Sequence, residues 1–573
     1  MRKQLLLASI LAASLGPALP SRAQMVSQTA SSREAMVVTD QHIASEVGRV
    51  VLDLGGNAID AAVAIGYALA VVDPCCGNLG GGGFMTIHLQ DGRDTFINFR
   101  ERAPLAATPT LYQDQNGNVI PGLSLYGYLA VGVPGTVAGL EKAREKYGTK
   151  PRAELIAPAI ALAAAGFVLD EGDITELSSS TSEFAQQPNV AAVFLKGGQP
   201  YQVGDRLVQT DLARTLLRIA VDGPDAFYKG PIADAVVAAS AANGGILSKA
   251  DFEQYTAEEL TPVQCNYRGY RVVSSPPPSS GGTVICEILN VLKGYDLSQL
   301  GFHSTDAVHY TVEAERQAYA DRNTYLGDPD FISNPLSQLL SASYAQAIRA
   351  QIEPATAGSS AATVPGLGGI ATEVAEGPHT THYSVVDRMG NAVSVTYTIN
   401  NLFGAGVIAG DTGFLLNDEM DDFTSKPGVP NLYGLVQGSA NDIQPGKRPL
   451  SSMSPSILLR GSNLYMVVGA PGGSRIPTEV LGVIQNVIDY GMDIGSAVAA
   501  PRIHHQYLPD TVYLEPNALS SDVAAALQAE GYNLTQQTTT WGLAEAILID
   551  QSSGLLTGAT DPRRPDGLAV GTP

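Results

Sequence analysis

The 573-residue chain has only four cysteines, one tryptophan and few charges, 16% of its residues, and its 34 Lys and Arg are outnumbered by 56 Asp and Glu. A formal net charge of -22 repels nucleic-acid phosphates and anionic lipid surfaces, so no nucleic-acid role is expected. No apolar run is long enough to cross a bilayer without a Gly, Pro or charge interrupting it, so no membrane span is expected either. A Gly-x-Ser-x-Gly elbow is lacking, which leaves a serine α/β-hydrolase unsupported. His504-His505 lacks the spacing of a zinc helix, and Glu419-Met420-Asp421-Asp422 lacks the ordered Gly and terminal Glu of a calcium loop. The glycine run Gly80 to Gly83 has no Lys-Ser/Thr after it and enters a strand pattern, so close backbone packing is expected there rather than phosphate binding. Neither a metal nor a cofactor is expected.

Of the four cysteines, Cys75 and Cys76 are adjacent and are read as poorly placed to bond to each other, while Cys265 with Cys286 is the more plausible pair. A core this large needs no staple, so the alternative is that all four are small buried hydrophobes.

What is present is ample core material, 45% hydrophobic, with Gly 60 and Pro 35 spread along the chain and no linker or repeat. Arg2 and Lys3, an apolar run from Leu5 to Leu15, then Pro17, Pro20 and Ser21-Arg22-Ala23 read as an export signal over residues 1–23, placing the mature protein in a secreted or periplasmic compartment. Ile43, Val47, Val50, Val51 and Leu54 recur at helical spacing up to Gly55-Gly56, and Asn57 to Val72 reads as a second, buried helix. Asp306 to Arg322 has an amphipathic helical pattern, and Ser274 to Gly282 is a Pro/Ser/Gly loop. From Ala355 to Gly377 the chain turns small and polar, and is expected to be exposed and mobile. Then His382 to Val386 and Ala392 to Ile399 form a hairpin pattern around Asp387-Arg388-Met389-Gly390-Asn391.

The run Pro378-His379-Thr380-Thr381-His382-Tyr383-Ser384 resembles the processing site of gamma-glutamyltranspeptidases, whose small subunit begins with Thr-Thr-His-Tyr-Ser. Thr398, Asn400, Glu419, Asp422, Ser451, Ser452, Gly472 and Gly473 follow in that family's order, and Arg100 stands in an Asn-Phe-Arg-Glu-Arg-Ala-Pro run similar to its arginine motif. Gly55 to Ala62, Gly132 to Gly139 and Asp561-Pro562-Arg563 extend the resemblance over nearly the whole mature chain.

The resemblance implies an α/β (α+β) fold, the four-layer αββα sandwich of N-terminal-nucleophile hydrolases. It also implies self-cleavage between His379 and Thr380 into a large subunit, 24–379, and a small catalytic subunit, 380–573, held together as a heterodimer. Thr380 would be the nucleophile. Its hydroxyl needs a base, and a newly exposed α-amine with a pKa of about 8 is one. Thr398 would assist it, and backbone N–H groups of Gly472-Gly473 would form the oxyanion hole. Arg100 would pair with the α-carboxylate of a γ-glutamyl group, Glu419 and Asp422 with its ammonium, with Asn400, Ser451 and Ser452 as polar contacts and Tyr433 as a lid. Arg102, two residues on, competes with Arg100 for that role. The implied substrates are glutathione and other γ-glutamyl compounds, with water, amino acids or peptides as acceptors. A glutaryl or cephalosporin acylase and a non-catalytic exported binding protein are the alternatives.

Overall fold

The computed structural model describes residues 25–367 and 380–573; the export signal and His379 lie outside them. Two seven-stranded sheets form the centre. One carries the hairpin of Thr381–Val386 and Ala392–Thr398, flanked by Met36–Thr39 on one side and by Gly82–His88 and Asp94–Phe99 on the other. The other runs from Gln28–Ser32 through Leu556–Thr560, Glu545–Ile549, Asn463–Gly469, Ser456–Arg460 and Tyr270–Ser274 to Val263–Tyr267.

Every residue of both hairpin strands is buried, because each face of the sheet is covered. Strand alternation sends Tyr383, Val385, Val393 and Val395 into the apolar core with the helix Ala58–Val72. The opposite residues face the second sheet, where Ser394 donates to Val468 O (3.1 Å) and Thr86 to Pro455 O (2.7 Å). Met36, Val38, Ile457, Val467 and Ile547 fill the rest of the space between the sheets. The helices Gly281–Leu292 and Ile476–Ile488 pack on the far side of the second sheet, which completes the expected αββα order.

The two N-terminal helices occupy His42–Asp53 and Ala58–Val72, and Asn57 caps the second through a reciprocal box with Asp60. Three expectations need correction. The helix over Thr305–Tyr325 buries almost its whole circumference, including Glu313, Glu315, Arg316, Asp321 and Arg322, because its charges are paired or hydrogen-bonded inside rather than solvated. The described part of the polar stretch, residues 355–367, is pinned: Gly358 N donates to Glu313 (3.0 Å) and Ser360 N to Asp510 (2.7 Å). Cys75 and Cys76 are bonded to each other, as are Cys265 and Cys286. Adjacency does not forbid the first bridge, because the turn after Val72 brings the two sulfurs together.

Candidate active site

Thr380 immediately precedes the strand Thr381–Val386, buried at the end of the sandwich. Its hydroxyl donates to Thr398 Oγ1 (3.4 Å), at the end of the paired strand, and Thr398 Oγ1 also accepts from Asn400 N (2.9 Å). Thr381 fixes the strand entry by donating to both oxygens of Asp40 (2.8 and 2.7 Å). Burial pushes the Asp40 carboxyl up to about 8, aided by the nearby Asp73 charge.

A tight cavity on one side of Thr380 is lined by Arg100, Thr398, Asn400, Glu419, Asp422, Tyr433, Ser451, Ser452 and Gly473, so nearly all the expected site residues converge. Thr380 also lines an open cleft of about 660 Å³ together with Gly472, Arg475, Trp541 and Cys76. The nucleophile candidate thus stands between a narrow pocket and a wide cleft.

Arg100 is fully buried, and its guanidinium bonds both Glu419 and Asp422, with Glu101 3.7 Å away. Arg100 is therefore already paired within the protein, to the two carboxylates expected to hold the ligand's ammonium. Burial lowers the guanidinium, but these carboxylates outweigh it and hold it above its usual value. Burial likewise pushes Glu419 well above the carboxylate range and Glu101 up to about 7, both partly opposed by Arg100. Glu419 Oε2 and both oxygens of Glu101 have no hydrogen-bond partner among the described residues, so the cluster holds more acceptor capacity than Arg100 uses. Arg102 turns elsewhere, to Glu258 (3.3 Å) and Asp330 (3.8 Å), and does not line the cavity that Arg100 lines.

Tyr433 lies over the cavity, its hydroxyl on Asn400 Oδ1 and Asn400 O (3.2 Å). Its loop is tied down by Leu432 N to Asp421 (2.7 Å) and Asn431 Nδ2 to Asp422 (3.2 Å). Gly472 and Gly473 have φ of 148° and 57°, and a Cβ on Gly473 would stand 2.3 Å from the Tyr433 ring. Only glycine admits that contact. The pair leads into the helix Ile476–Ile488, whose N-terminus favours negative charge.

Sequence reasoning missed the support for this pocket. Arg322 reaches Ser452 (3.3 Å) and Gln437 (2.7 Å), and Gln437 in turn donates to Asp422 O (3.0 Å). Burial pulls Arg322 down to about 10. Asp418 accepts from Asn401 N (2.9 Å) and, through its carbonyl, from Asn400 Nδ2 (3.1 Å), which orients the Asn400 side chain. Glu101 was in view beside Arg100, but Asp40 and Arg322 gave no local signal. His504 and His505 are buried among Thr478 (2.8 Å), Gln506 (2.9 Å) and Asp510 (3.3 Å), a structural setting.

Residues 44–571 match the family model for gamma-glutamyltranspeptidase. The chain belongs to the gamma-glutamyltranspeptidase family. It is 56% identical to a glutathione hydrolase proenzyme of Pseudomonas sp. strain A14, over 100% of both chains. It is 47% identical to one of Escherichia coli K12, over 94% of this chain and 92% of that protein. Among solved structures it is similar to the cephalosporin acylase from Bacillus halodurans, with a TM-score of 0.83 and 28% identity over 98% of this chain and 99% of that one. Within the described residues of this gamma-glutamyltranspeptidase family member, no helix is long and apolar enough to cross a membrane.

Proposed function

We propose that the protein is an exported gamma-glutamyltransferase and glutathione hydrolase that cuts itself between His379 and Thr380 and then uses Thr380 to carry the γ-glutamyl group. Removal of the signal over residues 1–23 leaves a large subunit, 24–379, paired with a small one, 380–573. The α-amine freed on Thr380 takes the proton of its own hydroxyl, and Oγ1 attacks the γ-carbonyl. Gly472 and Gly473 N–H groups receive the developing oxyanion. The leaving amine departs into the open cleft, and water or an acceptor amine returns by the same route to release the acyl group.

The observation that carries this reading is the cavity beside Thr380 with one arginine set among three carboxylates. A glutamyl head bears a carboxylate and an ammonium on one carbon. Entering the cavity, it exchanges the ion pairs of Arg100 for two new ones, its carboxylate on Arg100 and its ammonium on Glu419 and Asp422. A glutaryl group has no ammonium, so it would separate Arg100 from its partners and leave buried carboxylates uncompensated.

The test is a pair of anilides with the same leaving group, γ-glutamyl and glutaryl. Protonation or water entry relieves part of the penalty, so the expected preference for the γ-glutamyl compound is at least about 3 kcal/mol, on the order of a hundredfold in kcat/KM. Comparable kcat/KM for the two compounds would favour an acylase.

A further inference from the structure

The Cys75–Cys76 disulfide stands in the wall of the same open cleft that Thr380 lines. Cys76 faces this cleft, whereas Cys75 lines a small neighbouring cavity with Asp73 and Arg564. The pair is also wired to the glutamyl pocket through the backbone. Cys76 O accepts from Ile399 N (3.1 Å) and Cys75 O from Phe403 N (2.8 Å), so it anchors the segment that holds Thr398 and Asn400. Nothing in the proposed hydrolysis uses either sulfur.

A γ-glutamyl substrate seated with its carbonyl at Thr380 extends its leaving group into this cleft. In glutathione that leaving group is a cysteinyl residue, whose sulfur is three bonds from the scissile nitrogen. We propose that Cys76 is a thiol-exchange site: the cysteinyl thiol of the substrate or of its released product opens the Cys75–Cys76 bridge and becomes covalently held beside Thr380. This rests on the γ-glutamyl reading of the site.

The step balances without an external oxidant or reductant. The cysteinyl thiolate sulfur forms a bond to Cys76 Sγ, the Sγ–Sγ bond breaks, and its electron pair passes to Cys75 Sγ, which takes up the proton that the attacking thiol lost. Asp73 Oδ1 stands 3.3 Å from Cys75 Sγ and is itself paired with Arg564 (2.9 Å), so the departing sulfur leaves as a thiol beside a carboxylate that an arginine compensates. Cys75 remains next to Cys76 and reverses the step by attacking Cys76 Sγ, which expels the thiol. The adduct therefore accumulates only while cysteinyl thiol is abundant. While present, it fills the cleft through which acceptor and leaving group pass, so a high concentration of thiol product slows the enzyme.

The second bridge is an internal control. Cys265 is 9% exposed and Cys76 5%, so preferential opening of Cys75–Cys76 comes from the cleft rather than from access to bulk solvent. The mature enzyme is incubated with N-acetylcysteine, a cysteinyl thiol without the free amine of an acceptor, quenched with iodoacetamide and mapped by peptide mass spectrometry. A parallel sample, also quenched with iodoacetamide so that alkylated Cys75 can no longer expel the bound thiol, is passed through a desalting column and assayed with a γ-glutamyl anilide, which contains no thiol. The expected result is N-acetylcysteine on Cys76, carbamidomethyl on Cys75, an intact Cys265–Cys286 bridge, and an anilide rate lost in proportion to the fraction of Cys76 modified. In C75S/C76S the anilide rate, whatever its absolute value, is the same with and without thiol treatment. The proposal is overturned if Cys265–Cys286 opens first, if the adduct maps to Cys75, or if modification of Cys76 leaves the anilide rate unchanged. A persistent thiol-dependent loss in the double variant overturns it as well. A protein that modifies as expected but never cleaves the γ-glutamyl anilide contradicts the γ-glutamyl reading instead.

Discussion

Arg100 sits among Glu101, Glu419 and Asp422 with no exposure to solvent, so removing it is first a matter of charge balance. Arg100→Ala leaves these carboxylates buried without a cation, an expected loss of about 3 to 5 kcal/mol of stability beside the loss of substrate binding. Urea midpoints read the first effect and KM the second. Arg102→Ala breaks a contact with Glu258 whose side chains are 22% and 26% exposed, and is expected to cost less stability than Arg100→Ala, with KM unchanged. A larger loss from Arg102→Ala would mean that the arginine motif is misread by two positions. The residue types of the pocket were legible in the sequence because Thr380, Thr398, Glu419, Asp422 and the glycine pair follow a known order. Their ligand-free pairing was not, because a sequence shows which charges exist but not which of them meet. Asp40 and Arg322 were invisible for a related reason: each acts from a distant segment, on Thr381 and Ser452.

The elements most legible in the sequence were those with a clean period or clear punctuation. The Thr380 hairpin announced itself by alternation and by its Gly-Asn turn, and Gly390 takes φ 87° there. The helix Thr305–Tyr325 was legible as a helix but not as a buried one, because pairing inside the fold hides its charges from a periodicity argument. The Gly80–Gly83 run was rightly read as close packing. A Cβ on Gly80 would lie 2.0 Å from Leu415 O, and one on Gly81 1.9 Å from Thr398 O. Gly81→Ala must therefore push back the strand end that carries Thr398, with backbone rather than a flexible side chain in the way. The expected outcome is a fall of at least about tenfold in kcat for a γ-glutamyl anilide, equivalent to about 1.4 kcal/mol in the barrier. A wild-type kcat in this variant would show that Thr398 is not held by the glycine run.

At the scale of the whole molecule, the four-layer order was legible only through resemblance, since the hairpin strands are buried throughout and their alternation points small polar residues at the second sheet rather than at solvent, a difference the pattern alone does not show. The same burial sets the pH response. Burial pushes Asp40 up to about 8 and Glu479 and Asp173 up to about 7, from ordinary values near 4. Such groups bind more protons folded than unfolded between those limits, so they cost stability as pH rises from about 4 to 8. Glu141 and Glu259 act oppositely. Burial raises each, but Arg144 and Arg152 for the first and Lys146, Tyr147 and Thr95 for the second hold them down to about 2, so their contribution is lost as pH falls below about 4. Thermal unfolding is therefore expected to give a higher Tm at about pH 5.5 than at about pH 8.5, and a Tm that keeps rising to pH 8.5 would contradict it. The central claim is that one hydroxyl both cuts the chain and carries the acyl group. Intact mass measurement of purified wild type and Thr380→Ala tests it most directly. The account predicts two polypeptides for the wild type, the smaller beginning at Thr380, and a single uncut, inactive chain for Thr380→Ala; a variant that still splits before position 380 would contradict it.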